Sequence, residues 1–72
     1  MDTDSTPDNS AVLTLRDRVV AERARYRLGE VTIEQVYSAV DEYTAACEAY
    51  ARRRWPGRRF RRPSRAYLLR AL

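Results

Sequence analysis

Residues 32–54 constrain the fold more than any other part of the chain. Thr32-Ile-Glu-Gln35 is a capping box, in which the Thr32 side chain accepts from the Gln35 amide and Gln35 reaches back to the amide of Thr32. Val31 precedes the cap and Val36 follows at the fourth helical position, a hydrophobic staple that sets the angle of entry. Apolar residues then recur as Ile33, Val36, Val40, Tyr43, Cys47 and Tyr50, at alternating steps of three and four. That spacing is an unbroken heptad seam of the kind that packs knobs into holes. Pro56 and Gly57 end it, so the helix is expected over 32–54, about 33 Å long at 1.5 Å per residue.

Ahead of this helix stands only Gly29-Glu-Val31. The residues before the link repeat an apolar pattern, Val12, Leu15, Val19 and Tyr26, interrupted by Glu22. They predict a first helix over 11–28, with Ser10 or Thr14 as N-cap and Gly29 at the left-handed position past its end. A link this short forces the two helices antiparallel and adjacent. Tyr26 is then expected near Ile33 and Val36, and Val12 and Leu15 near Tyr43, Cys47 and Tyr50. Arg16, Arg18, Arg23, Arg25 and Arg27 fall mostly off the seam and read as a solvated face.

Trp55-Pro-Gly57 is a turn, and the basic stretch 55–63 is expected without regular structure. A short last helix is expected over 64–72, with Ser64 as N-cap. Its Ala66, Leu68, Leu69 and Leu72, together with Phe60, need a surface to cover and are expected to fold back on the hairpin. Residues 1–10 are acidic and polar with Pro7, and read as a disordered leader. The expected fold is thus all-α: an antiparallel helical hairpin plus a short C-terminal helix, forming one small domain over residues 11–72.

Seventy-two residues allow only a modest core. Histidine is absent, which removes the commonest general base and a principal metal ligand. Ser38, Ser64 and the threonines therefore lack the base that would activate them, and the carboxylates at Asp41–Glu42 and Glu30–Glu34 belong to no evident pocket. Cys47 is the single cysteine, so no internal disulfide or thiolate cage forms; on the seam it reads as a small apolar residue rather than a redox switch. The expectation is a non-enzymatic, cytoplasmic protein with no cofactor, metal or small-molecule substrate. No apolar run approaches the roughly 20 residues of a membrane span.

Charge is divided by position. Residues 1–51 hold five Arg against all ten acidic residues, a formal −5, whereas residues 52–72 hold nine Arg and no acid, +9. All fourteen basic residues are Arg. A GC-rich coding sequence accounts for that choice, and for ten Ala, but not for the clustering. Arg52, Arg53, Arg54, Arg58, Arg59, Arg61, Arg62 and Arg65 are expected to neutralise several phosphates in a salt-dependent manner. Trp55 and Phe60 lie inside the run, where they stack on unpaired bases or cap the end of the core. The competing account is internal: Asp17, Glu22, Glu34, Asp41, Glu42 and Glu48 are six acids within reach of the hairpin. Six cannot neutralise nine, so positive charge is left over.

Two partner classes follow, nucleic acid first and a protein partner or homodimer second, the latter through a helical face and Tyr37. Tyr37 lies beside the seam and either meets the third helix or stays open for contact. The last helix, joining Leu and Tyr to Arg, ranks a distant third as an anionic-membrane segment. Glu22 reads as a solvated edge residue, ahead of pairing with an Arg from the tail or setting helix register. Arg61-Arg-Pro-Ser64 matches a basophilic kinase site, though capping explains Ser64 more simply. Taken together, the arm GEVTIEQVYSAVDEYTAACEAY and the ending FRRPSRAYLLRAL resemble small uncharacterised proteins of actinobacterial phages and their hosts, loosely over residues 15–72. The resemblance implies a GC-rich bacterial setting in which such proteins bind a host protein or nucleic acid.

Overall fold

The computed structural model describes residues 9–72. Among these there are three helices and no strand: α1 (Ser10–Arg27), α2 (Ile33–Arg54) and α3 (Arg65–Ala71). The expected all-α hairpin with a short C-terminal helix is the architecture found. The acidic leader falls mainly on residues 1–8, outside the described residues.

The local signals act as chemistry requires. Gln35 N–H donates to Thr32 Oγ1, and Thr32 N–H donates to Gln35 Oε1 at 2.8 Å, so both halves of the capping box are made. Gly29 takes φ +77°, the left-handed region that favours glycine. Around it Gly29 N–H donates to the Tyr26 carbonyl and Glu30 N–H to the Arg25 carbonyl, both at 2.9 Å. That double closure is a Schellman motif, and an Arg25–Glu30 ion pair stands where an apolar contact usually accompanies it. Ser64 caps α3 by accepting from Tyr67 N–H at 3.1 Å. The expected cap of α1 is corrected. Ser10 is already helical and Thr14 is internal; Asn9 precedes the helix and its carbonyl accepts from Leu13 N–H at 3.1 Å.

The core is small and sits on the first half of α2. Val36, Ala39 and Val40 meet Val19 of α1 and Leu68 of α3, with Val31, Ile33, Tyr43, Leu69 and Leu72 packed around them. Flanked by two helices, α2 buries a wider stripe than the seam alone: Ala39 and Thr44 are buried, while Tyr43, Cys47 and Tyr50 are only partly so. Thr44 is tolerated there because its hydroxyl donates to the Val40 carbonyl at 2.9 Å.

Four expectations for packing need correction. Tyr26 is 44% exposed, outside the core, because the inward stripe of α1 ends instead on Glu22 and Arg23. Glu22 is no solvated edge residue; its side chain is 14% exposed and accepts from Arg25 Nη1 at 3.2 Å. Arg23 leaves the solvated face and reaches α3. Ala66 is exposed, so the buried face of α3 is carried by Leu68, with Leu69 and Leu72 beside it. No helix among the described residues is long and apolar enough to cross a membrane.

Candidate nucleic-acid interface

The basic segment begins where α2 stops. Trp55 caps α2 through its N–H to the Ala51 carbonyl at 2.8 Å. Pro56 supplies the preset φ of a tight turn, which Arg58 N–H closes onto the Trp55 carbonyl at 3.0 Å. The chain therefore doubles back, and residues 58–64 run along α2 in the opposite direction.

Two acidic residues fix that course. Arg62 Nε and Nη2 both donate to Glu48 Oε1, at 3.0 and 2.7 Å, while Arg52 Nη2 donates to Glu48 Oε2 at 2.9 Å. Further along, Arg65 grips Asp41 side-on, Nε to Oδ1 at 3.1 Å and Nη2 to Oδ2 at 2.7 Å. The register is self-consistent. Three residues of extended chain span about 10 Å, and the seven helical residues from Asp41 to Glu48 span about 10 Å. Electrostatics follow the contacts. The Arg62 guanidinium, aided by Arg52, holds the Glu48 carboxyl below its ordinary range, and Arg65 does the same for Asp41. The Arg65–Asp41 pair is exposed on both sides and the Arg62–Glu48 pair on its arginine side, so they set position more than they add stability.

The same arrangement divides the arginines. Arg52, Arg62 and Arg65 are engaged internally. Arg65 also lies over the Tyr37 ring, 4.9 Å from its centroid, so the open-contact reading of Tyr37 gives way to packing against the start of α3. Arg53, Arg54, Arg58, Arg59, Arg61 and Arg70 have no carboxylate within 4 Å among the described residues. Ordinary alternation along an extended segment accounts for the contrast between neighbours: Phe60 and Arg62 turn towards α2, Arg61 away from it.

Beside the turn lies an open cleft of about 250 Å³, lined by Ala51, Trp55, Arg58, Arg59 and Phe60. Trp55 is 47% exposed, whereas Phe60 is half-buried. The indole is braced from elsewhere: Tyr50 meets it edge-on, with centroids 6.2 Å apart, and the Arg54 guanidinium lies 5.7 Å from it. Phe60 reaches this cleft rather than the helical core. Neither Ala51 nor Tyr50 carries a site signal in the sequence. Ala51 stands one turn before Trp55, and its small side chain is what leaves space against α2. A second, smaller recess of about 160 Å³ separates the start of α1 from the end of α2, lined by Ala11, Val12, Ala46, Ala49, Tyr50 and Arg53.

No protein-family model, curated protein or solved structure matches this chain.

Proposed function

We propose that the chain is a small, non-enzymatic nucleic-acid-binding protein whose working surface is the segment from Arg53 to Arg61. One observation carries this reading. After Glu48 and Asp41 have taken the arginines within their reach, Arg58, Arg59 and Arg61 remain without acidic partners among the described residues, beside a half-exposed tryptophan. A guanidinium group not already held by a carboxylate presents the fork of donors that phosphate oxygens accept in pairs. A cytoplasmic setting, and the GC-rich phage-and-host setting implied by the resemblance, fit the same role.

The test is affinity for generic nucleic acid across a salt series. Association is expected to weaken steeply with salt, since each phosphate contact releases counterions. A variant carrying Arg58→Ala, Arg59→Ala and Arg61→Ala is expected to lose most of that dependence. An affinity insensitive to salt, or to those three changes, would remove the reading.

A protein-binding role is the second reading, favoured by α1. Leu13 and Val20, two turns apart on one face, are exposed, and Leu28 at the end of the helix is 73% exposed. Sedimentation of the full chain with Leu13→Gln and Val20→Gln checks whether this face joins two copies.

A further inference from the structure

We infer that the Trp55–Phe60 cleft receives a single unpaired nucleobase, and that the chain therefore takes single-stranded in preference to duplex nucleic acid. This rests on the nucleic-acid reading above and names the form of nucleic acid.

Four observations lead to it. First, the cleft has the right chemistry on each side. Its wall is aromatic, from Trp55 and Phe60, and its charge comes from Arg58 and Arg59, which have no carboxylate within 4 Å among the described residues. A nucleotide offers that alternation at every step of a strand, a flat ring followed by an anionic phosphate, and a peptide acidic through Asp and Glu alone does not. Second, at about 250 Å³ the cleft falls below the range typical of pockets for drug-sized ligands, and it suits one ring system with the rest of the strand outside. Third, Trp55 is held before any ligand arrives. Tyr50 contacts it edge-on, and Arg54, which does not line the cleft, lies against the ring. A base then meets an ordered surface and little side-chain freedom is lost on binding. Fourth, apart from Arg58 and Arg59, which this reading assigns to phosphate, the cleft lining has no side chain that hydrogen-bonds a base edge. Recognition is by stacking, which every base can supply, and is tolerant of sequence.

The preference for single strands follows from access. Bases in a duplex are stacked on their neighbours and paired across the helix, so a side chain reaches their faces only after unstacking. Duplex offers this site its phosphates alone, and the cleft stays empty.

Trp55 is the only tryptophan in the chain, so its fluorescence reports on this cleft without any substitution. The full chain is titrated with an oligothymidylate, with a blunt duplex of equal length, and with heparin as a polyanion lacking bases. The expected result is strong quenching by the single strand and little by duplex or heparin. Phe60→Leu, which keeps an apolar side chain but removes the flat ring, is expected to weaken single-strand affinity roughly 5- to 150-fold. The salt dependence should be retained. If all three polyanions bind alike without quenching, the base-binding cleft is overturned while the Arg surface stands. If none binds at low salt, both readings fall together.

Discussion

Glu48 accepts two hydrogen bonds from Arg62 through a single carboxylate oxygen and gives its other oxygen to Arg52. One acid thus removes two arginines from the basic surface, while Arg61, next in sequence to Arg62, meets no acid among the described residues. Adjacent, chemically identical residues are assigned opposite tasks. Arg61→Ala is expected to reduce the slope of log affinity against log salt by about 1, the share of one phosphate contact. Arg62→Ala should change that slope less and instead loosen the segment from α2. Glu48→Gln should steepen the slope, because it frees Arg52 and Arg62 for phosphate. The slopes of the three variants, measured on one oligonucleotide, check the division.

Acid should undo the docking of residues 58–65. The Asp41 and Glu48 carboxyls lie below their ordinary values in the folded chain, Asp41 through Arg65 and Glu48 through Arg62. Unfolded carboxylates bind protons near pH 4. Stability from these groups is therefore fully present above that range and is lost as pH falls through the lower folded values. Thermal unfolding followed by circular dichroism should be level from neutral pH down to about pH 5 and decline below about pH 4. Asp41→Asn with Glu48→Gln should flatten the decline and lower the neutral-pH midpoint slightly.

The helices were legible because their signals are local. A capping box, a glycine past a helix end and a proline after one depend on a few neighbouring residues, and each acted where the sequence placed it. The candidate site was legible only in composition. Eight Arg and two aromatics over residues 52–65 mark a basic segment, but which Arg stay unpaired depends on how an irregular stretch lies against α2. That register is set by Glu48 and Asp41, fourteen and twenty-four residues from their partners. Tyr26 and Arg23 fail for a related reason: periodicity puts Tyr26 on the seam of α1 and Arg23 off it, but cannot foresee that α3 arrives beside Arg23. Ala51 gave no signal, since a small residue matters here for the space it leaves.

Arg23 fastens the end of α3 to α1. Its guanidinium donates to the Leu69 carbonyl and, through Nη2, to the main-chain oxygen of Leu72 at 2.6 Å. The last carbonyls of a helix lack partners within it and carry the negative end of its dipole, so a half-buried cation there satisfies both needs. α3 has only seven residues and would not persist alone. Arg23→Ala is expected to cost about 1.5–3 kcal/mol, the range for hydrogen bonds to a charged group. Hydrogen exchange should show the loss in the α3 amides first and in α2 least. Equal loss of protection in all three helices would show that Arg23 supports the whole core rather than this one contact.

The same residue type at two places should give opposite results. Leu68 is 7% exposed and joins α3 to the Val19–Val36–Val40 cluster, while Leu28 is 73% exposed at the end of α1. With so few fully buried side chains, the loss of one is poorly compensated. Leu68→Ala removes buried methyl groups and leaves a space that a thin core closes only in part, so the expected cost is about 2–4 kcal/mol. Leu28→Ala should stay within about 0.5 kcal/mol of the parent, as surface changes generally do. Urea unfolding of the two variants beside the parent checks both values. A large loss from Leu28→Ala would mean that this side chain is covered in solution, which would favour association through α1.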